Sequence, residues 1–164
     1  MAVTIERQGY GQVEPNHLSA PRDGRVYAQL PAADDIEILE NGMFVKYAYA
    51  DGEVNFDGEG PWMLVFNEEK LYDERYQMHK DFAMKAADFY DNKMYPRVFG
   101  IVPGDIFTTN MVAEAEYNVG DDLKVNAEGI LEAGTADDGD HKFKVVKETT
   151  MPDGQPAVKI QVIA

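Results

Sequence analysis

Cysteine is absent from the 164 residues, which excludes disulfides, thiolate metal sites and cysteine nucleophiles. Serine occurs once, as Ser19, in a proline-containing stretch with no Gly-x-Ser-x-Gly elbow around it, so a serine nucleophile has no support. Histidine is scarce too. His17, His79 and His141 lie far apart, and none forms the His-Glu-x-x-His pair that would put two ligands on one metal. Positive charge is in short supply, with 15 Lys plus Arg against 30 Asp plus Glu, a net charge of −15 and a pI near 4.4. So acidic a chain is repelled by phosphate backbones and anionic lipid surfaces, and neither a nucleic-acid nor a membrane partner is expected. No apolar run reaches the ~18 residues of a membrane-spanning helix. The opening Met1-Ala2-Val3-Thr4-Ile5-Glu6-Arg7 lacks the basic-then-apolar order of a signal peptide, so a soluble, unprocessed chain is the expectation.

What is present is enough apolar material for a packed core: 45% hydrophobic and 11% aromatic residues, with 27% charged, which fits one globular domain rather than disorder. Chemistry is harder to find. Gly9-Tyr10-Gly11 is followed by Gln12-Val13-Glu14, which completes neither a dinucleotide fingerprint nor a phosphate-binding loop. Asp51-Gly52-Glu53-Val54-Asn55-Phe56-Asp57-Gly58-Glu59 alternates oxygen ligands but lacks the glycine and glutamate positions of a calcium-binding EF-hand loop. Asp121-Asp122 and Asp137-Asp138-Gly139-Asp140 read as acidic turns, where aspartate is favoured by its own side-chain hydrogen bonds. No cofactor is expected, and no catalytic or metal-ligating residue is assigned.

The organisation reads as an extended N-terminal arm, residues 1–31, followed by a single mainly β domain, 32–164. The arm is punctuated by Gly9, Gly11, Pro15, Pro21, Gly24 and Pro31 and shows no period of 2 or 3.6. Beyond it, Ile36–Glu40 and Met43–Tyr49 flank Asn41-Gly42, and Glu53–Asp57 alternates so that Val54 and Phe56 share a face. Trp62–Phe66 is a continuous apolar run of strand length, suited to a strand covered on both sides. Leu71, Met78, Phe82, Ala86 and Phe89 fall near one helical stripe with Asn67 as a candidate cap, which predicts a helical insertion over part of 68–90. Strands return at 97–102 and 106–109 around Pro103-Gly104, then at 122–125, 129–132 and 142–150. A last strand at 157–163 closes a hairpin across Pro152-Asp153-Gly154. The expected fold class is therefore mainly β, a sandwich or barrel-like arrangement of short antiparallel strands and hairpins, with one helical insertion around 68–90.

One further signal lies in Gly104-Asp105-Ile106-Phe107-Thr108-Thr109-Asn110-Met111-Val112 and in Val119-Gly120-Asp121-Asp122-Leu123-Lys124-Val125-Asn126-Ala127-Glu128-Gly129-Ile130-Leu131-Glu132. With the ending from Phe143 to Ile160, these segments carry a GD-x-L-x-V-x-x-x-G-x-L rhythm that resembles capsid decoration (head auxiliary or cement) proteins of tailed bacteriophages. The resemblance covers about 104–163 and, more weakly, 41–66. It implies a non-enzymatic virion structural protein, made in the host cytoplasm, that sits on the outer capsid surface and bridges subunits of the major capsid protein, with a homotrimer as a further expectation. Residues of the arm and the tyrosine-rich middle are then the interface candidates: Tyr10, His17, Tyr27, Tyr72, Tyr76 and Tyr90. The helical insertion is a departure from small all-β cement proteins. Other readings are a tail-tube or head–tail joining protein, a secreted or cytoplasmic adaptor, and a carbohydrate-binding β domain. The last would need an aromatic platform, and Trp62, its candidate, lies in an apolar run that reads as buried.

Overall fold

The computed structural model describes residues 2–67 and 82–164, over which the chain is mainly β. The strands run β1 (Ala2–Thr4), β2 (Val13–His17), β3 (Val26–Tyr27), β4 (Ile38–Glu40), β5 (Phe44–Ala48), β6 (Glu53–Asn55), β7 (Met63–Val65) and β8 (Ala83–Lys85). They continue with β9 (Val98–Phe99), β10 (Ile106–Thr109), β11 (Glu116–Asn118), β12 (Asp122–Val125), β13 (Leu131–Ala133), β14 (Phe143–Thr150) and β15 (Pro156–Val162). The one α-helix among the described residues, α1, is the short Ala20–Asp23 turn.

The C-terminal hairpin is the spine of the largest sheet, a six-stranded antiparallel array in the order β13-β12-β14-β15-β10-β2. Its turn closes through Gly154 N–H to Met151 O and Met151 N–H to Gln155 O, both 2.8 Å. Period-2 alternation then sends Val158, Ile160 and Val162 into the core while Lys159 and Gln161 stay half-buried, as the sequence predicts. A five-stranded sheet, β3-β9-β7-β5-β6, packs against this face. The two are open sheets rather than a closed barrel.

The five-stranded sheet is a middle layer. On one rung Phe44, Leu64 and Phe99 are paired neighbours and point into the first core, shared with Phe107, Phe143, Val145 and Ile160 of the large sheet. The alternate residues Val45, Met63, Val65 and Val98 point the other way, into a second core closed by Ala32, Ala33, Ile36, Leu39, Met94 and Met111. This double coverage is why Trp62–Phe66 is an unbroken apolar run. Phe44 is the bridge between sheets, its ring 5.4 Å from Phe143 and 6.3 Å from Phe107.

The segment read as an extended arm is stitched into three sheets. β1 pairs with β11, β2 with β10 and β3 with β9, and Ile5, Val13 and Ala20 are core residues. Pro15 is accommodated because β2 is the edge of its sheet, where a missing N–H costs no ladder bond. The sole serine has a structural role there. Asp105, 2% exposed, accepts from the Ser19 amide at 3.2 Å, the Ser19 hydroxyl at 2.8 Å and the Val102 amide at 3.1 Å, which ties the arm to the 102–105 turn. Asp105→Ala leaves these buried donors without an acceptor. It is expected to cost about 3 kcal/mol, read as a lower urea midpoint at unchanged slope.

The helix expected over part of 68–90 falls largely on 68–81, outside the described residues. Over 82–90 the chain is not an α-helix: β8 pairs with β4 through Leu39 and Met84, and Ala86–Asp88 forms one 3-10 turn. Ala83 is buried beside a partner strand, so an extended backbone serves it better than the helical stripe that Phe82, Ala86 and Phe89 suggest. Asn67, read as a cap, is buried and its Oδ1 accepts from the Arg97 amide at 3.0 Å.

Candidate functional site

Two surfaces gather side chains that the sequence keeps apart. The first is an aromatic cleft of about 440 Å³ at the end of the middle sheet, lined by Tyr27 of β3, Tyr47 of β5, Tyr49, Pro61, Ile101 and His141, among others. The tyrosines form a ladder. Tyr27 and Tyr47 have ring centroids 6.3 Å apart, and Tyr47 and Tyr49 meet edge to face at 5.8 Å, an arrangement that aromatic quadrupoles favour. The Tyr47 hydroxyl is closed off from solvent beside the Gln29 backbone, and burial pushes its pKa above the ordinary tyrosine value.

Of the polar groups of this cleft, Arg25 and His141 are already engaged. Arg25 donates from Nε to Gly100 O at 3.3 Å, from Nη1 to Asp23 at 3.1 Å and from Nη2 to the Ser19 hydroxyl at 2.6 Å. His141 Nδ1 lies 3.2 Å from Ala164 O. Trp62 is 5% exposed, with Lys46 Nζ 4.6 Å over its ring, so its face is not a platform. The cleft offers aromatic edges and faces, with the buried Tyr47 hydroxyl left without a hydrogen-bond partner among the described residues.

The second surface lies beyond β8. Tyr90 is fully exposed, and Phe89 and Tyr95 are exposed on the same loop. Next to it a shallow depression is lined by Asp34, Glu37, Ile38, Lys85, Asp91 and Asn92, among others. Lys85 Nζ sits 4.9 Å from the centroid of the Tyr10 ring, and hydrogen bonding to Tyr10 raises its pKa above the ordinary lysine value.

The sequence-derived interface candidates therefore separate. Tyr10, through Lys85, and Tyr90 border the second surface, Tyr27 belongs to the cleft, and His17 is exposed at the end of β2 opposite Ile106. Tyr72 and Tyr76 lie outside the described residues. Tyr47, Tyr49, Pro61, Ile101 and His141 of the cleft are absent from that set. Tyr47 and Tyr49 stand out only as part of the tyrosine-rich middle, while the others come from loops distant in sequence and leave no local signature. Among the described residues, no group of three or more His, Asp or Glu side chains is placed to hold a metal ion, and no helix is long and apolar enough to cross a membrane. No known protein family, curated protein or solved structure matches this chain.

Proposed function

We propose that the chain is a non-enzymatic virion structural protein that decorates the outer surface of a tailed-phage capsid and stabilises it by bridging major capsid protein subunits. The observation that carries this reading is how the residues of the decoration-protein rhythm are used. Leu123 and Leu131 enter the first core, Gly120 N–H donates to Val145 O at 2.7 Å, and Gly129 O accepts from the Phe44 amide at 2.7 Å. The rhythm thus builds a sheet edge and locks it to the neighbouring sheet, a scaffold from which aromatic loops project. Such a scaffold suits a protein whose work is adhesion. The charge of −15 supports a place outside the shell, away from packaged DNA, since phosphates repel it. Binding a surface that exists only in the assembled shell stabilises that shell by mass action. A homotrimer at a three-fold position is the assembly this reading carries.

The test is co-sedimentation with expanded, undecorated heads, with procapsids and an unrelated acidic β protein as controls. Saturable binding to expanded heads is expected and gives copies per shell. Absence of binding with ring or tube formation by the protein alone would transfer the chain to the tail or connector. A second reading, carbohydrate binding, draws on the Tyr27–Tyr47–Tyr49 cleft, although its Arg25 is already engaged by Gly100, Asp23 and Ser19. A sugar-dependent rise in Tm that disappears in Tyr49→Ala would establish it.

A further inference from the structure

We infer that the turn carrying Tyr90 is the docking element of this protein, and that its partner is a protein surface with an apolar slot rimmed by lysine and arginine. The inference rests on the decoration reading and names the chemistry of the contact. Tyr90 is 107% exposed, and no contact with the described core holds it there. Tyrosine so placed is a large apolar area left in water, of the kind that dominates interface energetics once buried.

The turn is stiff. Phe89 N–H donates to Ala86 O and Asn92 N–H to Phe89 O, both at 3.1 Å, which makes two successive turns with Tyr90 at the outer corner. Asp91 Oδ1 accepts from the Lys93 amide at 3.1 Å, and Asn92 takes a left-handed φ of 56°. Both ends are clamped to one segment: Ala86 N–H donates to Glu37 O at 2.9 Å, and Met94 O accepts from Ala32 N–H at 2.7 Å, with the Met94 side chain buried in the second core. A backbone held in this way loses little conformational freedom on docking, leaving only the side-chain torsions of Tyr90 to be ordered.

Charge complementarity selects the occupant. Asp88 and Asp91 flank Tyr90, and Asp34 and Glu37 line the adjoining depression, against Lys85 and Lys93. Lys85 is directed onto Tyr10. Among the described residues the rim around the aromatic corner is therefore acidic on balance, which favours a basic partner surface and opposes a phosphate-bearing one.

The experiment measures affinity for expanded heads by co-sedimentation for the wild-type chain, Tyr90→Ala, the double variant Asp88→Asn/Asp91→Asn, and Tyr49→Ala. Tyr90→Ala is expected to bind about thirtyfold more weakly with Tm unchanged within about 2 °C, because an exposed side chain contributes little to stability. The double variant should bind about fivefold more weakly at low salt, a difference erased near about 0.5 M salt. Tyr49→Ala should match the wild type. Wild-type binding that survives Tyr90→Ala overturns the docking element while leaving decoration intact, and so does an equal loss in Tyr49→Ala. A double variant that binds like the wild type overturns the basic rim. A wild-type chain that does not bind heads removes the decoration reading and this partner together.

Discussion

Phe44→Ala is expected to lower the free energy of unfolding by about 4 kcal/mol, the range for emptying a fully buried phenylalanine site. Phe44 is 0% exposed and belongs to the middle sheet, yet its ring meets Phe107 and Phe143 of the facing sheet at 6.3 and 5.4 Å. Its removal leaves a cavity between two sheets, lined by Phe107 and Phe143. Paired strands cannot collapse into such a space as a loop would, so the cavity persists and the cost stays near the upper part of the range. Urea unfolding followed by tryptophan fluorescence reads the effect well, since Trp62 belongs to the same core. A loss below about 1.5 kcal/mol would mean that the two sheets are not joined at this residue.

Gly129→Ala is expected to cost about 3 kcal/mol or more, from two sources that can be separated. The first is conformational: φ is +77°, a region in which a Cβ costs about 1–2 kcal/mol. The second is contact. A Cβ at this position would lie 2.4 Å from Phe44 O and 2.7 Å from the Phe56 ring, and the carbonyl belongs to a paired strand that has no room to move. Gly104→Ala is the control, because its φ is +99° and a Cβ there meets nothing within 4 Å. It should cost only the conformational part, about 1–2 kcal/mol. Equal losses in the two variants would remove the contact argument. Because the Phe44 amide also donates to Gly129 O at 2.7 Å, Phe44→Ala and Gly129→Ala in one chain should fall short of the sum of their separate effects.

These two residues also show what could be read from the chain. Gly129 is the second glycine of the GD-x-L-x-V-x-x-x-G-x-L rhythm, visible in sequence as a pattern, and its cause is the close approach of one sheet to the other at Phe44. The C-terminal hairpin was legible because Val158, Ile160 and Val162 alternate over a strand long enough to show a period. Trp62–Phe66 was legible as a doubly covered strand because both its faces are apolar. β1, β3 and β8 were not legible: each has two or three residues, too few for a period, and each takes its partner from far along the chain. The same reason hid the cleft. Tyr27, Tyr47 and His141 meet only because β3 and β5 belong to one sheet and the loop before β14 passes its end. Tyr90 was nameable from its residue type, but its rigid, outward corner depends on hydrogen bonds to residues 32–37 that no local pattern announces.

The pairing of β2 has a consequence for how the chain reaches this state. The Gln12 amide donates to Asn110, 98 residues away, and the Thr109 hydroxyl donates to Gln12 O, 97 residues away. A ribosome therefore releases the first strands long before their partners exist, and the sheet that holds them closes only once β10 and then β15 have emerged. Closing loops of that length precedes any reward from the contacts they make, so folding is slow for a domain of this size. Meanwhile Ile5, just after β1, and Val13 of β2, both destined for the core, wait in water beside strands without partners. Crowded synthesis of many copies is the condition under which such a strand finds the wrong partner, and lower temperature or slower expression should raise the yield of correctly closed molecules.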